Sequence, residues 1–117
     1  MSDITENDFW GALNEPDPEI KYLGDNIMSK TWKNEEGVIH RETWPAIIHY
    51  YSNGNVWIKI WHHYGKRHRI NGPAVIWYSS DGKTKVKELF FIDDHEFDKE
   101  VYWTIVKEPN ISKENND

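Results

Sequence analysis

Two stretches of the chain are dense in β-branched and aromatic residues, and each one ends in a turn dipeptide. Residues 45–51 read Pro-Ala-Ile-Ile-His-Tyr-Tyr and residues 73–79 read Pro-Ala-Val-Ile-Trp-Tyr-Ser. Asn-Gly follows the first at 53–54, and Asp-Gly follows the second at 81–82. Such residues favour strands, and both dipeptides favour two-residue type I′ turns. Each stretch therefore predicts a strand that turns directly into a second one.

These two stretches belong to a 28-residue repeat. Gly37–Gly54 and Gly65–Gly82 align without a gap and share a Gly, His, Arg, Pro, Ala, Ile and Tyr, and the closing Gly. A partial copy lies upstream at 25–32, one residue out of phase. Because one hairpin cannot bury its own apolar face, tandem copies should stack edge to edge. The pattern predicts a mainly β fold over residues 19–97, an antiparallel β-meander built from hairpin repeats.

The two ends of the chain have other patterns. Residues 1–18 form an acidic arm, in which 5–13 has the pattern of a short helix. Residues 98–107 predict a short C-terminal helix that closes the sheet, with an Asp at its N-cap position and an apolar stripe. Residues 108–117 are polar and include a proline, which predicts a disordered tail. We expect the helix to cover one face of the sheet and a partner to contact the other.

Composition excludes several classes of protein. The chain has no Cys, so it has neither a disulfide nor a thiolate site. No segment reaches the roughly 20 apolar residues of a membrane helix, and the acidic N-terminus is unlike a secretory signal. We therefore expect a cytoplasmic protein with no membrane partner. Net charge is −6, with six acidic and no basic residues in 1–20. This distribution fits approach to a basic partner surface, or alternatively a tail that only aids solubility.

The histidines do not form a metal motif in the sequence. His40 and His68 occupy equivalent repeat positions, so we expect each ring to bond a neighbouring backbone group. His62 and His63 are adjacent in a strand and should point to opposite faces. The chain also lacks nucleophile, phosphate-loop and metalloprotease motifs. The sequence thus predicts no catalytic residue, no metal, no cofactor and no enzymatic activity.

The pattern H-R-x-x-G-P-A-x-x-x-Y, closed by Asn-Gly or Asp-Gly, resembles a MORN-like β-hairpin repeat over residues 24–107. Residues 64–69 match the turn of such repeats, and 92–96 form a degraded version. Repeats of this kind are common in bacteriophages and large DNA viruses. The resemblance implies the fold and little about activity, because one scaffold hosts unrelated functions. By analogy it implies a phage protein that acts in the cytoplasm of an infected bacterium.

Two groups of residues are candidates for binding. Trp44 stands where the next copy has Gly72, so we expect its ring to be an exposed anchor, or alternatively to fold down onto a neighbouring strand. Four tryptophans could form an aromatic interaction patch: Trp44, Trp57, Trp61 and Trp77. In the most basic loop, 62–69, Lys66, Arg67 and Arg69 could hold phosphate while tryptophans stack a base. Alternatively, the His-Arg pair at 68–69 is structural, as its counterpart at 40–41 would be.

The leading hypothesis is a non-enzymatic, phage-encoded inhibitor that docks on a host defence protein or on an RNA-guided complex. One alternative is sequestration of a nucleotide or another small anionic signal, and another is a virion or scaffolding component. The sequence leaves the oligomeric state open. The sheet edges need covering, which the N-terminal segment or the second subunit of a homodimer could do.

Overall fold

The computed structural model describes residues 15–116 and the side chains of 15–107, so the predicted helix at 5–13 lies outside the described residues. Seven strands form one antiparallel sheet in the order β1-β2-β3-β4-β7-β8-β9, and β5 pairs with β6 beside it. The predicted mainly β meander with a C-terminal helix is confirmed. The elements are β1 (Glu19–Leu23), β2 (Asn26–Thr31), β3 (Ile47–Tyr50), β4 (Val56–Ile60), β5 (His62–His63), β6 (Lys66–Arg67), β7 (Val75–Tyr78), β8 (Lys85–Ile92), β9 (His95–Phe97) and α1 (Lys99–Asn116).

The sheet contains three copies of one hairpin unit: β1-β2, β3-β4 and β7-β8. A tyrosine holds the same position in each first strand and pairs with the second strand as follows: Tyr22 with Ile27, Tyr50 with Val56, and Tyr78 with Lys85. The segment between the tyrosine and its partner is therefore one residue longer in each hairpin than in the one before it. As a result, equivalent residues are 28 apart in the first strands and 29 apart in the second strands. This difference explains why the upstream copy is out of phase in the sequence.

The turns that close these units are not the predicted type I′ turns. In the second and third hairpins only the glycine, at 54 and at 82, has a positive φ, whereas type I′ requires two consecutive positive values. The loops are longer than two residues, and a one-residue register shift follows each of them. Paired positive φ values occur instead at 64–65 and 93–94, in the two-residue loops of β5-β6 and β8-β9.

At each of the two junctions between successive units, an arginine stacks on a buried tryptophan ring. Between the second and third units, the Arg69 guanidinium lies 3.9 Å from the Trp61 ring and donates a hydrogen bond to the Pro73 carbonyl at 3.0 Å. Ala74 beside them is completely buried. The junction between the first and second units repeats this arrangement with Trp32, Arg41, Pro45 and Ala46. The two repeat prolines thus have matching surroundings, as expected for two copies of one structural unit.

Helix α1 takes the place of a fourth unit. Tyr102 follows Ala74 by 28 residues, is completely buried, and packs 4.7 Å from the ring of Phe90. Its hydroxyl accepts a hydrogen bond from the Gly72 N–H at 3.2 Å and lies within bonding distance of the Gly72 and Arg69 carbonyls. The main contact of the helix is therefore with β8, at one end of the sheet.

The helix is also longer than the predicted 98–107. It begins at Lys99 and ends at Asn116, so it includes most of the segment predicted to be a disordered tail. Pro109 suggested an earlier end because proline has no amide hydrogen. A proline inside a helix removes one hydrogen bond and crowds the carbonyl four residues before it, but its φ of about −65° is compatible with a helix. Within the described residues, no helix has the length and apolar character needed to cross a membrane.

Candidate binding surface

The structure does not bring the four predicted tryptophans together. Trp44 and Trp61 lie at the end of the sheet where β3 begins and β4 ends, but only Trp44, at 60% exposure, is accessible. Trp61 is 9% exposed, lies beneath Arg69, and donates its indole N–H to the Thr43 carbonyl at 3.3 Å. Trp57 and Trp77 lie towards the opposite ends of their strands. The exposure expected for Trp44 is confirmed, whereas Trp61 belongs to the packed interior.

Exposed apolar side chains instead form a regular row across the sheet. The register of each hairpin shifts by one residue in its second strand, which leaves one bulged residue per unit. These residues are Met28, Trp57 and Val86, which are 45%, 42% and 60% exposed. We call them the bulge row. Because their strands are equivalent and lie two positions apart, the row spans about 19 Å at ~4.8 Å per strand. Met28 and Val86 were not among the predicted binding residues, although a 29-residue period in the second strands indicates them.

The bulge row is bordered by aromatic and basic side chains. The Trp57 ring lies 6.2 Å from the His49 ring and 5.7 Å from the Tyr51 ring, which places it on the same side of the sheet as His49. The register row through His49 consists of Lys21, Ser29, His49, Ile58, Trp77 and Lys87. Among these described residues there is no carboxylate, and both ends are lysines. This surface therefore combines an apolar centre with positive ends.

The basic loop is mostly occupied by internal contacts. The amide and guanidinium of Arg67 each donate to the Asp94 carboxylate at 2.9 Å, and these bonds hold the pKa of Asp94 below its ordinary value. Arg69 is fixed on Trp61 and Pro73, which agrees with the structural alternative for the His-Arg pair. Lys66 is exposed and forms no ion pair among residues 15–107. One available lysine is far from the basic footprint that binds nucleic acid.

Three histidines lie side by side next to this loop. The ring of His63 is 5.1 Å from His40 and 5.6 Å from His68. His40, Glu42 and His63 offer three atoms close enough to hold one metal ion. However, Nδ1 of His40 accepts the Tyr64 N–H at 2.9 Å, so in the neutral ring the proton lies on Nε2, 2.9 Å from Glu42. A protonated nitrogen has no lone pair for a metal, so this geometry opposes ligation by His40.

The two repeat histidines have the same structural role, as predicted. Nδ1 of His68 accepts the Asp93 N–H at 3.0 Å, just as Nδ1 of His40 accepts the Tyr64 N–H. In both cases the donor is the first residue of a two-residue loop with positive φ. Each histidine therefore stabilises the strained loop that follows it in the next unit.

Two other histidines should link stability to pH. Burial lowers the pKa of His49 and of His62 below the ordinary value, and the nearby Lys21 lowers that of His49 further. Near pH 6.5 and below, the unfolded chain therefore binds protons that the folded chain does not, so stability falls as pH falls. We expect urea unfolding to show lower stability at about pH 5.5 than at about pH 7.5. His62→Leu should reduce this difference, and an unchanged difference would contradict the role of His62.

Comparison of the chain with protein-family models, curated proteins and solved structures found no match. The fold and the surface by themselves define the class of this protein. It is a small β-hairpin repeat protein with a helical cap, an exposed apolar row across one face, and basic side chains that mainly serve the repeat. Its function therefore has to be inferred from the chemistry of that face.

Proposed function

We propose that this chain is a non-enzymatic protein-binding module that docks on a partner through the bulge row and its aromatic border. The observation that carries this proposal is the threefold exposure of Met28, Trp57 and Val86 at one repeat position. Single exposed apolar residues are ordinary, but three at one repeat position, bordered by the aromatic residues of the same face, make this face a candidate interaction surface. Trp57, flanked by His49 and Tyr51, is the aromatic anchor because tryptophan and tyrosine dominate binding hot spots.

The activity that we propose for this module is inhibition of a host defence protein or of an RNA-guided complex. This part rests on the resemblance of the repeat to those of phage proteins and on the distribution of charge. Residues 1–20 carry six acidic and no basic residues, which would speed approach to a basic partner surface. A rigid sheet that covers a functional surface of its partner can inhibit without performing a reaction.

Sequestration of a nucleotide has less support. It requires several cations that are free to hold phosphate, yet Arg67 is paired with Asp94 and Arg69 is stacked on Trp61. Lys66 alone would provide one contact. The protein-binding proposal uses side chains that are exposed, whereas the nucleotide alternative uses side chains that already have partners.

The proposal predicts that Trp57→Ala weakens partner binding by about tenfold or more without unfolding the domain. The wild-type chain would be immobilised to capture proteins from bacterial lysate, and mass spectrometry would identify those retained. Binding of the purified candidate would then be measured by calorimetry for wild type and variants. Circular dichroism would confirm that each variant is folded.

The matched control is Ile70→Ala, because Ile70 is an exposed apolar residue in the loop between β6 and β7 and lies outside the bulge row. We expect this variant to bind normally. Trp44→Ala would show whether a second exposed tryptophan contributes to the same contact. Unchanged affinity for both Trp57→Ala and Met28→Ala would contradict the proposed surface.

A further inference from the structure

Strand β8 has an open edge over part of its length. Residues 90–92 pair with β9, but within the described residues the outer side of 85–89 has no partner strand. In the other units the second strand pairs with the first strand of the next unit, β2 with β3 and β4 with β7. By the 28-residue period, residues 103–106 would form that next strand, and they lie in α1 instead. With the helical cap in this place, no strand among residues 15–116 fills the position beside 85–89.

The open edge lies beside a groove. A cavity of about 430 Å³ separates 85–89 from the segment that leads into α1. Leu89 and Phe97 contribute apolar surface to it, and its charged lining is mixed, with three lysines and three carboxylates: Lys85, Lys87, Lys99, Glu88, Glu96 and Asp98. Alternate N–H and C=O groups of an unpaired edge point outward and form a template for another strand. Val86 of the bulge row also lines this groove, so the groove is continuous with the proposed binding face.

We propose that this edge accepts an extended segment of a partner protein as an added antiparallel strand. The inference rests on the proposed protein-binding function and defines the kind of partner segment. The two existing junctions give the register. At the position equivalent to Leu89, the facing residue is Ile47 in one junction and Val75 in the other. At the position equivalent to Glu88, the facing residue is Ile48 or Ile76, so all four are aliphatic. The partner strand should therefore have two aliphatic residues followed by one that faces Lys87.

The residue that faces Lys87 should be a carboxylate. Cross-strand neighbours of opposite charge stabilise a sheet, whereas like charges directly opposite destabilise it. Lys87 is exposed and is the last residue of the register row through His49. The described residues of that row include no carboxylate. A partner strand of the form aliphatic-aliphatic-acidic would therefore complement the edge both in packing and in charge.

A second copy of this chain fits this edge poorly. Its first strand, β1, is the repeat equivalent of β3 and β7, and all five of its residues are exposed. In the register of the existing junctions, Lys21 of that copy would face Lys87 and Glu19 would face Leu89. The first pairing opposes two lysines and the second places a carboxylate against an apolar side chain. The lysines therefore act against head-to-tail filaments, and the occupant is a segment of another protein.

The test uses the full chain and two synthetic peptides with the sequence of residues 45–51, in which either glutamate or lysine replaces the residue at His49. We expect the glutamate peptide to bind about fivefold more tightly. We also expect it to protect the amides of 85–89 from hydrogen exchange, as measured by NMR. Lys87→Glu should invert the relative affinities, so that the lysine peptide binds more tightly. Lys83→Glu, which changes an exposed lysine in the preceding turn, should leave the glutamate peptide the tighter ligand.

Three outcomes would overturn the proposal. One is that Lys87→Glu does not invert the relative affinities of the two peptides. Another is that binding persists when the peptide amides are N-methylated. The third is protection of 85–89 without peptide, which would mean that another segment or copy occupies the edge. The outcome for Trp57→Ala is separate from these. If that variant loses the captured protein while the peptides fail, the binding module stands and the added strand does not.

Discussion

Replacing Trp61 with alanine is expected to lower the free energy of unfolding by about 3–5 kcal/mol. The Trp61 ring is buried, Arg69 stacks on it, and its indole N–H bonds to the Thr43 carbonyl. The substitution therefore leaves a cavity at the junction of two units, an arginine without its stacking partner, and an unpaired carbonyl. Urea denaturation followed by circular dichroism would measure the loss.

Trp44→Ala is the matched control, since it removes the same side chain from the neighbouring loop. The Trp44 ring is 60% exposed, so the change should be within about 0.5 kcal/mol. Trp44 and Trp61 were both predicted as binding residues, yet their substitutions should differ severalfold in their effect on the free energy of unfolding. A loss below about 1 kcal/mol for Trp61→Ala would show that the repeat does not depend on this stacked pair.

The fold was largely predictable because the same pattern of strand and turn residues occurs in successive copies of the repeat. The strands lie within the predicted range 19–97, and the isoleucines and tyrosines of the three first strands follow a strict 28-residue period. The turn type was not predictable from the dipeptides alone. Asn-Gly and Asp-Gly accept several hairpin geometries, and the length of the loop decides among them. That length depends on the register, which long-range pairing fixes.

The binding surface was harder to predict, because it depends on which side chains the bulges turn outward. A bulge adds one residue to one strand, and the residue types of Met28 and Val86 do not indicate that they are the added residues. The burial of Trp61 likewise results from Arg69, which reaches it after the intervening hairpin of β5 and β6. Aromatic residues and cations near each other in sequence indicated a ligand site, whereas in the structure they stabilise one another.

One departure from the repeat has a physical explanation at the helical cap. Gly72 donates its N–H to the Tyr102 hydroxyl, and a Cβ built on Gly72 would lie 2.9 Å from the Arg69 guanidinium carbon. A side chain at this position would therefore displace the stacked arginine. The equivalent position in the preceding unit holds Trp44, which is 60% exposed, and there the buried Ala74 stands where the cap has Tyr102. Gly72 therefore lies against the cap tyrosine, whereas Trp44 has no tyrosine hydroxyl at the equivalent place.

Tyr102→Phe should lower the free energy of unfolding by about 1–3 kcal/mol at neutral pH, because it leaves buried polar groups of the Gly72 loop unpaired. The ring remains against Phe90, so the helix should stay docked. Tyr64→Phe is the matched control, since Tyr64 is an exposed tyrosine in a loop. That variant should unfold like the wild type when both are compared by urea denaturation.

The same substitution should act differently in alkaline solution. Burial raises the pKa of the Tyr102 hydroxyl, so as pH rises above about 10 the unfolded chain loses a proton that the folded chain retains. The wild type should therefore lose stability in this range through Tyr102, while the phenylalanine of the variant has no proton to lose. The gap between wild type and Tyr102→Phe should narrow from about pH 8 to about pH 11. A constant gap would mean that the hydroxyl ionises equally in both states, and that burial beneath the cap does not hold its proton.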